Sequence, residues 1–243
     1  PHLFSSAASD VYKRQEYRVT NYPNSASGSL VIPSTFNGRA VTSIGDYAFA
    51  NSNLSSITIP EGVTSIGDEA FIYCYNLTNI TISASVRNIG YGAFSYCGLT
   101  SINIPDSVSY IGQTAFAYSA LISIIIPDGI SSIASDTFYA CTELASITIP
   151  NSVTTIGDRA FYACTELASI TIPEGVTSIG DYAFQFCSAL ASITIPEGVT
   201  SIGLQAFKNC TGLTSIAVSS GNTFYSSIDG VLPRIVERTT TGV

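Results

Sequence analysis

The chain has 243 residues, with 17 Asp and Glu against nine Lys and Arg, and a formal net charge of −8. Because residues 54–212 contain no cluster of Lys or Arg, the sequence lacks the electrostatic basis for binding a phosphate backbone, so we expect no nucleic-acid partner. No run of 18 or more apolar residues is present, so we also expect no transmembrane segment.

Residues 1–15, PHLFSSAASDVYKRQ, match no later part of the chain and contain the single histidine, His2. The run SSAASDVYKRQ resembles translated adapter sequence at the ends of open reading frames from metagenomic assemblies. We therefore interpret residues 1–15 as a non-native scar, with a disordered native leader as the alternative. Both interpretations set these residues aside from the fold.

Residues 16–53 predict a degenerate first repeat that caps the array. Leu30 and Ile32 stand where later copies have their strand pair, and Phe36 to Arg39 widen the connection that follows. Since each unit of a repeat array contacts only its neighbours, a terminal unit has to cover an exposed end.

Residues 54–212 contain seven regular copies of 22 or 23 residues, and each copy is named below by its first residue. The copies begin at Leu54, Leu77, Leu99, Leu121, Leu144, Leu167 and Leu190. A fixed period in this range predicts a solenoid, in which each unit buries its apolar face against its neighbours. About nine strands, at about 4.8 Å between neighbours, would form a sheet about 40 Å long.

The Leu167 repeat, LASITIPEGVTSIGDYAFQFCSA, indicates how one unit folds. Ile170 and Ile172 alternate with polar residues, which predicts a short strand with one buried face. Pro173 ends that strand because proline cannot donate a hydrogen bond to a neighbouring strand. Gly180 then opens a tight turn that is expected to place Phe184 in the core.

Residues 213–243 begin as a partial repeat, lose the period, and stop before another strand forms. We interpret this part as an irregular, truncated repeat and expect the natural protein to continue.

The pattern LxxIxIPxxVxxIGxxAFxxC, present in near-copies from about Gly28 to Gly230, resembles the leucine-rich repeat of BspA-like bacterial surface proteins of the Treponema pallidum type. The resemblance implies a parallel concave sheet built from the LxxIxI strands, with short strands or 3₁₀ turns on the convex side. It also implies a cell-surface or secreted protein with a role in adhesion or host interaction. The piece SGNTFYSSIDGVL resembles the longer, irregular repeat of that family.

Six cysteines share one phase, the third position after the repeat phenylalanine, and Ser52 and Ser119 occupy the same phase elsewhere. They are Cys74, Cys97, Cys141, Cys164, Cys187 and Cys210. No close spacing such as CxxC is present, so we expect no metal site. We interpret the cysteines as buried thiols that donate to turn carbonyls. Disulfides between neighbouring repeats are the alternative, although parallel side chains would need strain to reach the bond dihedral.

Carboxylates also recur one repeat apart. The pairs are Asp158 with Asp181, Glu174 with Glu197, and Asp106 with Asp128. Such pairs could bind calcium through oxygen ligands or act as acid and base, but turns favour Asp and surfaces favour charge, so we prefer the structural interpretation. With His2 outside the repeats, no Ser-His or Cys-His pair can be assembled, and we expect no cofactor and no enzymatic activity.

The outward residues of the LxxIxI strands are mostly small and hydroxylated, which predicts a flat, hydrogen-bonding surface. The candidate binding residues on it are Ser146, Thr148, Ser169, Thr171, Ser192 and Thr194. The alternative is that Ser and Thr are merely suitable exposed strand residues. Tyrosines near the repeat phenylalanine form a second candidate surface, with packing between repeats as the alternative. They are Tyr47, Tyr73, Tyr75, Tyr91, Tyr96, Tyr118, Tyr139, Tyr162 and Tyr182.

The sequence thus predicts a monomeric, non-catalytic repeat solenoid that binds a protein or glycan ligand through its concave strands and a tyrosine-bearing edge. A structural spacer within a larger surface protein is the first alternative, and an enzyme is a distant one.

Overall fold

The computed structural model of the chain describes residues 4–6, 17–20, 22–25, 27–228 and 234–237. Within these ranges the chain forms strands and turns and no helix. In chain order the strands are β1 (Phe4–Ser6), β2 (Tyr17–Val19), β3 (Ser27–Val31), β4 (Thr35–Phe36), β5 (Arg39–Ile44), β6 (Asn53–Thr58), β7 (Ser65–Ile66), β8 (Asn79–Thr81), β9 (Asn88–Ile89), β10 (Ser101–Ile102), β11 (Tyr110–Ile111), β12 (Ser123–Ile125), β13 (Ser132–Ile133), β14 (Ser146–Thr148), β15 (Thr155–Ile156), β16 (Ser178–Ile179), β17 (Ser192–Ile195), β18 (Ser201–Ile202), β19 (Ser215–Val218), β20 (Tyr225–Ile228) and β21 (Arg234–Glu237).

Two ladders of parallel strands run along the array. The long-strand ladder is built from the LxxIxI segments, in the groups β3-β6-β8, β10-β12-β14 and β17-β19. The short-strand ladder consists of strands that end in isoleucine, in the groups β5-β7-β9-β11 and β13-β15-β16-β18. Residues one repeat apart pair in register, as Ile124 with Ile147 and Ile156 with Ile179. The predicted parallel-strand solenoid, of about nine turns, is confirmed.

A turn segment closes each repeat between the short strand and the cysteine, and residues 157–164 are representative. The backbone N–H groups of Arg159, Phe161 and Ala163 donate to carbonyls of the next repeat at 2.8, 2.8 and 2.7 Å. The N–H groups of the residues between and after them donate to the carbonyl three residues earlier. This alternation satisfies the buried backbone without a helix. The described residues contain short strands and such turn segments but no 3₁₀ helix.

Glycine precedes nearly every turn segment because neighbouring backbones approach closely there. A Cβ atom on Gly157 would lie 2.6 Å from the backbone nitrogen of Ser135. Ala134 is the exception at this phase, and its repeat also has Thr137 in place of the usual alanine. The buried Thr137 hydroxyl donates to the Ala134 carbonyl at 2.8 Å.

The core contains one column of phenylalanine rings that runs through the repeats. Neighbouring rings stack with centroids 5.0–5.6 Å apart and planes within 1–9° of parallel. The column comprises Phe49, Phe71, Phe94, Phe116, Phe138, Phe161, Phe184 and Phe207. Isoleucines of both strand ladders are buried with it, so the two ladders and the turn segments enclose a single core.

The Leu167 repeat departs from its predicted long strand. Ile170 and Ile172 are buried as predicted, but residues 168–173 form no strand. The backbone of residues 169–172 makes no backbone hydrogen bond to the repeats on either side, whereas β14 pairs with β12 and β17 pairs with β19. The alternation correctly predicts burial, but the pairing of strands depends on the spacing between repeats, which the pattern does not encode.

The ends differ from the regular repeats. Near the start, Asn37 and Gly38, with φ of 49° and 75°, connect β4 and β5 in an antiparallel hairpin. The strand β1 pairs antiparallel with β2, and the prediction that residues 1–15 are non-native stays a prediction. His2 and most of residues 1–15 and 229–243 lie outside the described residues.

The last described repeat is closed by Asn222, which is fully buried. Its amide nitrogen donates to the carbonyls of Pro196 and Val199 at 2.8 and 2.9 Å. Its amide oxygen accepts from the backbone N–H groups of Phe224 and Tyr225 at 2.9 and 2.8 Å. One side chain thereby ties the irregular end to the Leu190 repeat.

Candidate binding surfaces

The outward side chains of the long-strand ladder form one surface, the long-strand face, which includes all six predicted binding residues. Each of the six is exposed. Ser146 and Thr148 lie on β14, where they pair with Ser123 and Ile125, and Ser192 and Thr194 lie on β17. Ser169 and Thr171 lie in the unpaired stretch between those strands. A role for these residues in binding stays a prediction.

A cleft of about 290 Å³ opens on this face between the Leu167 and Leu190 repeats. Four of the six predicted residues line it, together with Glu174 and Pro196. These four are Ser169, Thr171, Ser192 and Thr194. The cleft therefore joins hydroxyl groups to a stretch whose backbone donors and acceptors are not used by the sheet, whereas Ser146 and Thr148 lie outside it.

Two isoleucines interrupt the hydroxylated surface in the Leu121 repeat. Ile122 and Ile125 are 50% and 69% exposed. Ile125, with Asn103 and Asp106, lines a second cleft of about 300 Å³ between the Leu99 and Leu121 repeats. The sequence shows these isoleucines where other repeats have mostly threonine or small residues, but the prediction did not single them out.

The six cysteines are free and buried, as the buried-thiol interpretation predicts. Each thiol donates to the carbonyl of the phenylalanine in the preceding repeat, with Sγ and O 2.9–3.2 Å apart. Ser52 and Ser119 lie 3.4 Å from the sulfurs of Cys74 and Cys141 at the same phase. Burial raises the pKa of the Cys141 thiol to about 11. A hydrogen bond with the neighbouring thiol instead lowers the pKa of Cys74 to about 7, and a similar bond with Cys187 lowers the pKa of Cys210. All six thiols are buried and serve packing, and the protonated Cys141 thiol is a poor nucleophile at neutral pH.

The Asp158–Asp181 pair has a structural role in the turn segments. The Asp158 carboxylate accepts from the backbone N–H of Asp181 at 2.9 Å, and the Asp181 carboxylate accepts from that of Leu204 at 2.6 Å. The other two predicted pairs, Glu174 with Glu197 and Asp106 with Asp128, are exposed. Across the described ranges, no three His, Cys, Asp or Glu side chains group closely enough to hold a metal ion.

A second row of aromatic rings, the aromatic row, crosses six consecutive repeats outside the phenylalanine column. It consists of Tyr73, Tyr96, Tyr118, Tyr139, Tyr162 and Phe186. Neighbouring ring centroids lie 4.4–5.3 Å apart. Both interpretations of the tyrosines, as packing between repeats and as a contact surface, are compatible with the aromatic row. Its rings contact one another from repeat to repeat, and several of them remain accessible to solvent.

Arg159 forms a bidentate ion pair beside the aromatic row that the sequence prediction did not include. Its Nε and Nη2 atoms donate to Asp136 Oδ1 and Oδ2 at 2.7 and 3.1 Å. The two residues occupy the same phase, one repeat apart, so their contact could have been inferred from the period.

The profile of the family described as "BspA type Leucine rich repeat region" matches residues 29–122 and 109–228, with six copies. A comparison with curated proteins finds no match. Within the described residues, no helix has the length and apolarity that a membrane span requires.

Two solved structures are similar to this chain in both sequence and fold. A leucine rich cell surface protein from Faecalibacterium prausnitzii A2-165 is 33% identical, with a TM-score of 0.65 over 93% of this chain. The chain spans 55% of that protein's length. The leucine rich repeat protein of T. pallidum is 26% identical, with a TM-score of 0.64 over 87% of this chain and 88% of its own.

Proposed function

This chain belongs to the family of BspA-type leucine-rich repeat proteins, and from that membership we propose that it is a non-catalytic module that binds a protein or glycan ligand on its long-strand face. The cleft between the Leu167 and Leu190 repeats is the observation that carries this proposal. Polar side chains occur there together with backbone groups that make no backbone hydrogen bond to a neighbouring repeat.

The chemistry of the cleft suits a ligand with its own hydrogen-bond donors and acceptors. In paired long strands the backbone N–H and C=O groups bond to neighbouring strands, but those of residues 169–172 make no such bond. The hydroxyls of Thr171 and Thr194 add groups that both donate and accept. A peptide backbone or a sugar could satisfy these groups, whereas a purely apolar ligand would leave them unpaired.

We infer that the chain is not an enzyme. Leucine-rich repeat proteins of this kind are generally non-catalytic. The described residues place no histidine beside a hydroxyl or thiol, and a hydroxyl without a base is a weak nucleophile. The thiols are buried.

We place the protein at the bacterial cell surface or outside the cell, with a role in adhesion or host interaction. The similarity to the F. prausnitzii cell surface protein supports the location. A net charge of −8 makes copies of the chain repel one another, which favours a monomer.

A structural spacer is the second candidate, and the phenylalanine column favours it. Rings stack without a break from Phe49 to Phe207, so the array can hold its ends apart as one continuous body. A spacer makes no use of the cleft, and this difference separates the two functions.

The test is a binding screen of the chain against extracellular-matrix proteins, mucins and glycans, with two triple variants. The first replaces Thr148, Thr171 and Thr194 by Lys on the long-strand face. The matched control replaces Thr154, Thr177 and Thr200 by Lys, since these are exposed threonines of the same three repeats at the short-strand ladder. Circular dichroism checks that both variants fold.

If the chain is a binding module, the parent and the control should bind a common ligand, and the first variant should lose at least about tenfold in affinity. The reason is that binding would remove three lysine charges from water without giving them a partner. Equal binding by all three proteins would move the site away from the long-strand face. Binding by none of them across the screen would favour the spacer.

A further inference from the structure

Several residues of the aromatic row adopt a left-handed backbone conformation, which residues other than glycine seldom adopt. Tyr73, Tyr96 and Tyr118 have positive φ values of 57–60°, a region that is unfavourable for L-residues. In the next two repeats alanine takes this left-handed position, and the aromatic residue moves one place earlier, to Tyr139 and Tyr162. Ring contact continues through the change of position. The row is therefore a feature of the surface and not a by-product of the repeat pattern.

The core does not need these rings, because the phenylalanine column already fills it. Tyr73, Tyr118 and Phe186 are 39%, 44% and 38% exposed, while the phenylalanines from Phe49 to Phe184 are at most 1% exposed. The row thus leaves apolar surface in contact with water along six repeats, which is the usual mark of an interaction site.

The stacking of the row determines which part of each ring a partner can reach. Tyr96 and Tyr118 stack at 4.4 Å with planes 8° apart, and Tyr139 and Tyr162 at 4.7 Å with planes 3° apart. In these two pairs each ring covers one face of its neighbour, whereas the other three contacts of the row are tilted or edge-on, with planes 34°, 52° and 73° apart. The row therefore presents a mixture of ring edges and faces to a partner.

Negative charge flanks the row. Residues 54–212 carry 12 Asp and Glu against three Lys and Arg. Glu143 and Glu166 follow the turn segments of Tyr139 and Tyr162 and are exposed. The guanidinium of Arg159 shows how a cation is held beside the row, because it bonds to Asp136 at 2.7 and 3.1 Å. Partial burial, with the charge of Asp136 contributing, raises the pKa of the Tyr118 and Tyr139 phenols, so they stay neutral.

We propose that the aromatic row is a docking surface for an extended basic segment of a partner protein, in which arginine or lysine alternates with apolar residues. Apolar side chains and the aliphatic stems of the basic residues lie along the ring edges, while the charged heads reach the flanking carboxylates. A second copy of this chain would bring like charges together and does not fit. The inference rests on the proposed binding role but uses a different face from the cleft.

The test titrates the full chain with a short synthetic peptide that alternates arginine and leucine, at physiological salt. The chain contains 14 Tyr and no Trp, so its intrinsic fluorescence reports on tyrosines alone. We expect a saturable change in that fluorescence. The same peptide with serine in place of leucine is expected to bind at least about tenfold more weakly, because it has no apolar side chains for the row.

Two pairs of substitutions form a matched control. Glu143→Gln with Glu166→Gln is expected to weaken peptide binding about fivefold. Glu61→Gln with Glu197→Gln removes the same charge next to the long-strand face, at two exposed positions outside both clefts, and it is expected to change binding by less than about twofold. Tyr118→Ala is expected to weaken binding about tenfold, and the glutamate pairs decide the question if that variant fails to fold.

Equal weakening by the two glutamate pairs would mean a diffuse electrostatic attraction and would overturn the proposal. So would equal binding of the serine peptide, or a dimer of the chain that Tyr118→Ala dissociates. Failure of the parent to bind the arginine-leucine peptide would overturn it as well, while the ligand screen with the threonine variants would still decide the function of the long-strand face.

Discussion

At the scale of single residues, left-handed backbone conformations recur at two positions of the turn segments, mostly without glycine. Arg159 and Ala163 have φ values of 51° and 56°, and equivalent residues in other repeats have similar values. The cost of such a conformation is about 1 kcal/mol for an L-residue. The same two residues donate backbone hydrogen bonds to the next repeat, which offsets that cost and fixes the conformation.

Ala163→Gly is expected to leave the free energy of unfolding unchanged or to raise it by up to about 1 kcal/mol, because relief of the left-handed conformation outweighs the added freedom of glycine. The matched control is Ala168→Gly, an exposed alanine without positive φ, which is expected to lower it by roughly 0.5–1 kcal/mol. Urea denaturation of both variants measures the difference. A larger loss at Ala163 than at Ala168 would contradict the argument.

The buried thiol of Cys141 is expected to make the protein less stable at alkaline pH. In the folded chain it keeps its proton up to about pH 11, whereas an unfolded cysteine loses its proton near about pH 8.5. Between these values the folded state binds more protons, so the free energy of unfolding falls as pH rises, by up to about 1.4 kcal/mol per pH unit for one thiol.

Cys141→Ser removes this titration, and serine already occupies the same phase at Ser52 and Ser119. Denaturation at several pH values should therefore give a shallower fall above about pH 8.5 for the variant than for the parent. Parallel curves for the two proteins would show that the thiol is not protected by burial.

At the scale of elements, the two strand ladders differ in continuity from the phenylalanine column. The long-strand ladder is interrupted between β8 and β10 and again at the Leu167 repeat, and the short-strand ladder is interrupted between β11 and β13. Ring stacking and the turn-segment hydrogen bonds continue across all three interruptions. Because the turn segments and the core hold the repeats together, a strand can lose its pairing locally while the solenoid continues.

Asn222→Ala is expected to lower stability by roughly 2–3 kcal/mol and to do so locally, since it removes four hydrogen bonds to buried backbone groups at the last described repeat. Hydrogen exchange should become faster in the Leu190 repeat and beyond, with little change near Leu54. Asn151→Ala, at an exposed position, is the control and should change neither. Uniformly faster exchange along the chain would contradict a local role.

At the scale of the whole molecule, stability is shared between neighbours along one dimension. Each interior repeat buries its phenylalanine against the rings before and after it, and the strands of the described residues pair within the same repeat or with adjacent repeats. An interior repeat therefore has two interfaces to lose, whereas a terminal one has fewer.

Phe161→Ala is expected to cost roughly 3–5 kcal/mol, because the ring is fully buried between Phe138 and Phe184. Phe207→Ala removes the last ring of the column, which is partly exposed and stacks on Phe184, and should cost less than about half as much. Chemical denaturation followed by circular dichroism compares the two. A cost below about 1 kcal/mol for Phe161→Ala would mean that the buried phase is wrong.

The period and the alternation of apolar residues were sufficient to predict the solenoid, the buried phenylalanine and cysteine phases, and the exposure of the six candidate residues. Those features depend on which side chains are apolar, and the repeated pattern shows the apolar positions in every unit. The role of the cysteines could also be predicted, because a buried thiol packs as a small apolar group and can donate a weak hydrogen bond to a nearby carbonyl.

Other features were decided by tertiary structure. The hairpin at Asn37-Gly38 carried a recognisable signal, since this dipeptide favours tight hairpin turns, but the signal was not used. The break at residues 169–172 and the cleft beside it carried none, because the Leu167 repeat matches the repeat pattern as fully as the Leu144 and Leu190 repeats, whose strands pair. Strand pairing and ring contact depend on the distance between repeats, and that distance results from the packing of all the units together, whereas burial depends on each side chain's own affinity for water.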